Sequence, residues 1–259
     1  MQNCFVLGAG RSGTSMVTGA IAGAGYFVGD DLIGARPANP KGFFEDREVN
    51  RINEDLLDPV VKARPTGRTA RFFRHRTRYG QRWLAPVPVA VGDQIDEGAN
   101  PELRDRIRAM TSRQPFCFKD PRLSYTLAVW QAELASPAVQ VCTFREPGRT
   151  VDSVLREIGE ARYLRDLRTD RARLLEVWTL MYRHVLDRHR GRGDWLFVHY
   201  DQVLEGGALD RLDALLGVSV DRSFADAGVG RSPAGTADEP VPAETARTYA
   251  ELCALAGYA

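Results

Sequence analysis

Lysine is nearly absent from this chain of 259 residues: it occurs only at Lys41, Lys62 and Lys119, and arginine supplies the other basic side chains. A single arginine therefore carries less information here than usual. Cysteine is sparse as well. Cys4, Cys117, Cys142 and Cys253 are far apart and form no Cys-x-x-Cys pair, so metal-ligand spacing is missing and a disulfide framework is not expected; buried free thiols in a reducing compartment are. No apolar run approaches the length of a membrane span, and no basic segment precedes an apolar one at the N-terminus. A cytoplasmic protein with no membrane partner is the expectation. Net charge is only +1, which removes the bulk electrostatic sign of a nucleic-acid partner. What is present, 44% hydrophobic and 27% charged residues, suits an ordinary globular protein able to bury a full core. No internal repeat and no linker interrupts it, so residues 1–259 read as a single domain.

Short apolar runs without alternation sit at 3–8, 115–118, 139–144 and 195–198, as expected of strands covered on both faces. Tyr26-Phe27-Val28 reads as a short strand or extended turn. Helical patterns lie between the runs at 12–24, 46–58, 101–112, 123–134, 148–159, 169–190, 207–216 and 243–256, and Gly, Pro, Ala and Asp make a loop of 226–242. Strands alternating with helices imply right-handed crossovers. The fold class is therefore α/β, with a P-loop-like central parallel β-sheet flanked by helices on both faces. In such sheets ligands bind at the carboxyl ends of the strands, so Arg11, Lys119-Asp120 and Arg145 should converge.

The organising stretch is Asn3 to Leu7 followed by Gly8-Ala9-Gly10-Arg11-Ser12-Gly13-Thr14-Ser15 and a helix. Strand, glycine-rich turn and helix form a phosphate cradle: glycines let the backbone approach an anion, and the helix start offers unpaired N–H groups. The spacing Gly8-x4-Gly13 fits a nucleoside-triphosphate loop, but Thr14 stands where the phosphate-binding Lys should follow, which argues against ATP or GTP hydrolysis. Gly8-x-Gly10-x-x-Gly13 also matches a dinucleotide fingerprint, with Asp30 or Asp31 near the distance of the ribose-binding acid, so an NAD(P)-binding Rossmann-type oxidoreductase is an open reading. Against it, the hydroxyls of Thr14 and Ser15 at the helix start suit a terminal anionic group.

A third reading rests on a resemblance. Gly10-Arg11-Ser12-Gly13-Thr14-Ser15 resembles the 5′-phosphosulfate loop of the sulfotransferases that use 3′-phosphoadenosine 5′-phosphosulfate (PAPS). Arg145-Glu146-Pro147 with Ser153 resembles the family's second motif, which holds the 3′-phosphate of the donor. Phe118-Lys119-Asp120-Pro121-Arg122 and Asn39-Pro40-Lys41-Gly42-Phe43-Phe44-Glu45 resemble segments of bacterial members, and Trp195 to Leu204 is similar to a later one. The resemblance implies transfer of a sulfuryl group from PAPS to a hydroxyl, or an amine, of a small molecule or carbohydrate, leaving adenosine 3′,5′-bisphosphate and requiring no metal. It implies that Gly10, Arg11, Ser12, Gly13, Thr14 and Ser15 bind the 5′ end of the donor and that Arg145 and Ser153 bind its 3′-phosphate. Arg11 would stabilise charge on the departing phosphate; many relatives have Lys there, and Arg does not readily lose a proton. Glu45 is the first candidate for general base, its apolar neighbours being expected to raise its pKa. His75 is the second, and Lys119, with Asp120, would orient the base or hold the acceptor. A nucleotide-binding protein without catalysis is the remaining alternative.

Between Asp58 and Asp93 no acid occurs, while 62–82 carries Lys62, seven arginines and His75. Such a run is ordinarily a solvated helix face. Its one-sidedness supports a sharper expectation, a mobile lid or acceptor wall that attracts an anionic substrate; too few aromatics are interleaved to favour nucleic acid. The residues set no oligomeric state.

Overall fold

The computed structural model describes residues 1–35, 41–224 and 240–259. Four strands form one parallel sheet: β1 (Asn3–Leu7), β2 (Cys117–Lys119), β3 (Ala138–Phe144) and β4 (Trp195–His199), in the order β2-β1-β3-β4. β1 lies at the centre, with Phe5 opposite Phe118 on one side and Gln140 on the other. The Tyr26–Val28 run contributes a single parallel bridge, Phe27 to Phe116.

Every residue of β1 is buried, because helices cover both faces. The two-residue period of the strands sorts the core into two layers. Cys4, Val6, Val139 and Val141 face α1 (Thr14–Gly23) and α9 (Gly207–Leu216), whose Val17, Ile21 and Leu212 complete that layer. Phe5, Leu7, Phe118, Cys142 and Phe144 face the other way. There α2 (Arg47–Leu57), α4 (Pro101–Thr111), α5 (Leu123–Ala132), α7 (Arg171–His184) and α10 (Ala243–Ala256) supply Ile52, Ile107, Trp130, Trp178 and Leu252. α6 (Pro147–Glu160) follows β3 directly and packs against α7 through Val151, Val154 and Leu174.

Two short helices, α3 (Gly92–Glu97) and α8 (Tyr200–Leu204), are not evident in the sequence pattern. The long helix expected over 169–190 changes at its end, where Val185–His189 forms a π turn. It turns His184 and His189 inward, with Nε2 atoms 3.0 Å from the Val87 carbonyl and 3.2 Å from the Ser124 carbonyl. Burial lowers their pKa values to about 4 and about 3, so both are neutral structural side chains. The stretch 62–82 is no continuous helix but loop and a 3-10 turn, Gly67–Phe73, and two of its arginines are buried. Most of the expected 226–242 loop, and Asn39-Pro40 of the aromatic turn, lie outside the described residues.

A buried polar cluster ties α2 to β2 and α5. The Asn53 amide donates to Asp120 Oδ2 (3.0 Å) and accepts from Thr126 Oγ1 (2.7 Å) and Trp130 Nε1 (2.8 Å). Arg122 donates to Asp120 (2.9 Å) and to Glu54 (2.6 Å), and Arg82 pairs with Glu54 and Asp58. Removing one member strands the others away from water. Asn53→Ala is expected to lower the unfolding free energy by about 2–4 kcal/mol, read by urea denaturation; a loss under about 1 kcal/mol would show that the cluster is satisfied without it.

Candidate functional site

The glycine turn is bolted to the carboxyl end of β3. Gly8 has φ +136°, and a Cβ there would stand 2.1 Å from the Thr143 carbonyl oxygen, so no other residue fits. The Tyr182 hydroxyl accepts the Ala9 N–H (3.1 Å) and donates to the Thr143 carbonyl (2.8 Å). Ser12 is fully buried, and its hydroxyl and its backbone N–H both donate to the Ala9 carbonyl, at 2.6 and 3.3 Å; the residue closes the turn from inside. The N–H groups of Gly13 and Thr14, at the start of α1, have no acceptor among the described residues. They are the orphan donors of a helix start.

Arg11 is a non-glycine residue at φ 70°, a conformation that costs about 1–2 kcal/mol. It directs the guanidinium onto α6. Nε donates to Ser153 Oγ at 3.0 Å and lies 3.9 Å from a Glu157 carboxylate oxygen. Ser153 and Glu157 are one turn apart and so share a helix face. Glu157 is buried and accepts from the Tyr163 hydroxyl at 2.6 Å.

Arg145 leaves the end of β3 and is buried. The acids that would pair with it at a surface are engaged elsewhere: Glu146 caps α6 through the Gly148 and Arg149 N–H groups, and Asp152 pairs with Arg171. No carboxylate lies within ion-pair distance of Arg145 among the described residues. Its guanidinium rests 4.4 Å above the Tyr200 ring. Burial lowers its pKa, against the pull of Tyr200 and Asp201, and the nearby cations Arg149 and Arg11 push the same way. The other edge of Tyr200 abuts the turn, 3.0 Å from where a Gly13 Cβ would stand. Tyr200 thus joins the two candidate anion sites. Its position just past β4, level with Arg145 past β3, is the sequence signal that could have placed it there.

Lys119, at the end of β2, is buried and holds two groups: Glu45 Oε1 at 2.6 Å and Ser15 Oγ at 3.4 Å. Glu45 Oε2 accepts from Asn50 at 3.1 Å. Burial alone would raise the Glu45 pKa, but the Lys119 ammonium, its hydrogen bond and the Arg122 guanidinium outweigh it, and the carboxyl lies below its ordinary value of 4.5. The expected upward shift is therefore reversed. The reason is local: Phe44 has φ 52° and its ring packs against Phe224, so charged Lys119, not an aromatic face, meets the carboxylate. Arg11, Ser15, Glu45, Lys119, Arg145 and Ser153 thus gather around the turn. His75 does not join them; it is exposed, with its ring 6.1 Å from that of Phe73. Asp30 and Asp31, the candidate ribose acids, are exposed and paired with Arg113 (2.9 Å) and Arg47 (3.1 Å), which removes them from a dinucleotide role.

Among the described residues no group of three or more His, Cys, Asp or Glu side chains could hold a metal ion, and no helix is long and apolar enough to cross a membrane. No family model and no curated protein matches the chain. Solved structures do. A sulfotransferase domain from the Synechococcus PCC 7002 olefin synthase is similar over 97% of this chain and 94% of its own, with a TM-score of 0.50 and 16% identity. A sulfotransferase domain from the curacin biosynthetic pathway is similar over 100% and 98%, with a TM-score of 0.51 and 14% identity. The fold is the α/β fold of sulfotransferase domains, with its P-loop-like parallel sheet between helices.

The Lys119–Glu45 pair has a pH signature. A depressed folded-state pKa contributes stability above the unfolded value of about 4.3 and loses it as pH falls through the folded value. The stability gap between wild type and Glu45→Gln should be full at pH 7 and shrink below about pH 5 in urea unfolding. A gap that stays constant or widens toward acid would refute the pairing.

Proposed function

We propose that this chain is a PAPS-dependent sulfotransferase acting on a hydroxyl of a small molecule or sugar. The observation that carries the reading is Arg145: a buried guanidinium seated on an aromatic ring, with no carboxylate at ion-pair distance among the described residues, beside a glycine turn with open N–H donors. A buried cation left without a counter-ion is costly unless an anion completes it. Two adjacent anion sites, one at a helix start and one at Arg145, match a donor that carries a 5′-phosphosulfate and a 3′-phosphate. The fold, shared with sulfotransferase domains, supports the same reading.

Bound there, the donor supplies the sulfuryl group and a bisphosphate as leaving group. The Gly13 and Thr14 N–H groups hold the 5′ end. Arg145 and Ser153 hold the 3′-phosphate, one contact charge-assisted and one neutral. Arg11, already against Ser153, stabilises the negative charge that grows on the departing phosphate oxygen. The acceptor oxygen bonds to sulfur as the bridging sulfur–oxygen bond breaks, and the acceptor's proton passes to the Glu45 carboxylate. Ionised Glu45 is ready as a base at neutral pH, but Lys119 weakens it while the two are paired. Lys119 also touches Ser15 on the turn, so an anion seated there competes with Glu45 for the ammonium and raises the basicity of the carboxylate. Positioning and charge stabilisation supply most of the rate.

Thermal shift with adenosine 3′,5′-bisphosphate, NAD, NADP and ATP tests the donor. A shift is expected for the bisphosphate, and Arg145→Ala should weaken its binding by on the order of a hundredfold. Stabilisation by NAD or NADP alone would overturn the assignment. Release of bisphosphate from PAPS with an acceptor tests catalysis; Glu45→Gln should lower kcat about 100-fold or more with bisphosphate binding unchanged. Wild-type binding with no turnover for any acceptor would make the chain a nucleotide-binding protein instead.

A further inference from the structure

Across most of the described surface arginines are neutralised: Arg106 by Glu48 and Asp55, Arg188 by Asp93 and Asp96, Arg222 by Asp210 and Asp213. One region departs from this. The acid-free run 62–78 packs against 162–168, which adds Arg162, Arg165 and Arg168. The seam is built of hydrogen bonds: the Arg168 N–H to the Arg74 carbonyl (2.8 Å), Arg64 Nη1 to the Asp166 carbonyl (2.9 Å) and Gln81 Nε2 to the Tyr163 carbonyl (2.6 Å). Asp166 is the single carboxylate of the two segments, and Arg78 takes it at 2.9 Å. Arg68, Arg71, Arg165 and Arg168 are exposed, with no carboxylate partner among the described residues. Burial and the nearby Arg78 guanidinium lower the pKa of Arg64, Arg74 adds to this, and Asp166 opposes it. Because the whole chain carries only +1, this excess is local.

The surface adjoins the turn. Trp83, just past the basic run, packs so closely on Gly10 that a Cβ there would stand 2.6 Å from the indole. From the seam, Tyr163 reaches Glu157, which flanks Arg11. The segment therefore forms a wall beside the glycine turn. Its cations lie flat: Arg71 is 4.7 Å over the Phe72 ring, itself 66% exposed, and Arg76 is 4.6 Å over Phe73. Guanidinium forks held open in this way match carboxylate and sulfate oxygens in pairs. Stacking platforms for bases are few, since the exposed rings of Tyr79 and Tyr163 are tied by their hydroxyls to Asp55 at 2.9 Å and to Glu157 at 2.6 Å.

We propose that this arginine wall binds the acceptor, and that the acceptor is a hydroxyl-bearing polyanion: a carbohydrate chain carrying carboxylate or sulfate groups. The inference rests on the sulfuryl-transfer reading, and its test separates the two. Chondroitin sulfate serves as probe, neutral dextran as control, and a single-stranded oligonucleotide of equal charge as competitor. Chondroitin sulfate should bind, with affinity falling about tenfold or more between 50 and 300 mM salt, as screened charge contacts do. The variant Arg68→Ala/Arg71→Ala/Arg165→Ala/Arg168→Ala should lose about tenfold or more in that affinity, while its melting temperature and its affinity for adenosine 3′,5′-bisphosphate stay within about twofold or a few degrees of wild type. Absence of chondroitin sulfate binding, equal binding of dextran, or an unaffected variant overturns the proposal. Tighter binding of the oligonucleotide overturns it in favour of nucleic acid. Failure of the wild type to bind the bisphosphate is a separate result, and it refutes the transfer reading itself.

Discussion

The Tyr182 hydroxyl is bonded on both sides, accepting from the Ala9 N–H and donating to the Thr143 carbonyl. It fixes the glycine turn between the end of β1 and the end of β3, and the rest of the site follows. With Ala9 fixed, Ser12 closes the turn inward and the Gly13 and Thr14 N–H groups are left facing out. With the turn held against β3, Arg11 must take a left-handed conformation to reach α6, where Ser153 and Glu157 receive it. The phenol is fully buried and its pKa is pushed far up by that burial, which keeps it a neutral donor and acceptor at neutral pH.

Three cations then lie around the glycine turn, and they are not equivalent. Lys119 is matched by Glu45 at 2.6 Å. Arg11 has a neutral hydroxyl at 3.0 Å and a carboxylate at 3.9 Å among its partners. Arg145 has a ring alone among the described residues, and a cation over a ring recovers on the order of 1–2 kcal/mol, less than burying a charge costs. Among the described residues Arg145 is the one of the three without a carboxylate at ion-pair distance, and an anion gains most there. The exposed arginines of 62–78 and 162–168 differ from these three: their charges are solvated, so they act on anions at long range but hold no single anion as tightly.

The sheet was legible because its strands carry a simple signal. Runs such as Cys-Phe-Val-Leu at 4–7 and Val-Gln-Val-Cys-Thr-Phe at 139–144 have no other use than to be covered on both faces, and each is followed at once by a glycine or a charged residue at the ligand edge. Arg11, Lys119 and Arg145 were therefore placed correctly by their distance from strand ends. What the sequence concealed depends on contacts between distant segments. Tyr200 is only the residue after a strand until the fold sets it under Arg145. Arg64 and Arg82 look like members of a solvated run, yet Arg82 is sealed against Glu54, a partner on α2 that no local pattern reveals. The pKa of Glu45 was misjudged for the same reason: Phe43 and Phe44 are its neighbours in sequence, but Lys119, 74 positions away, is its neighbour in space.

That long-range pairing constrains any chemistry at the site. A carboxylate bonded to a buried ammonium at 2.6 Å is ionised yet weakly basic, which would make a poor proton acceptor if the arrangement were permanent. It is not isolated, however: the same ammonium is 3.4 Å from Ser15 on the glycine turn, at the spot where an anion would enter. One cation shared between a base and an anion site couples the two occupancies. On the proposed chemistry, a donor in the turn would compete for the ammonium, so the carboxylate would gain basicity only when the group to be transferred is in place, and an empty site would keep it paired. On the proposed chemistry, Lys119 thus ties proton acceptance to donor binding without any moving domain, through the competition of two oxygens for one ammonium.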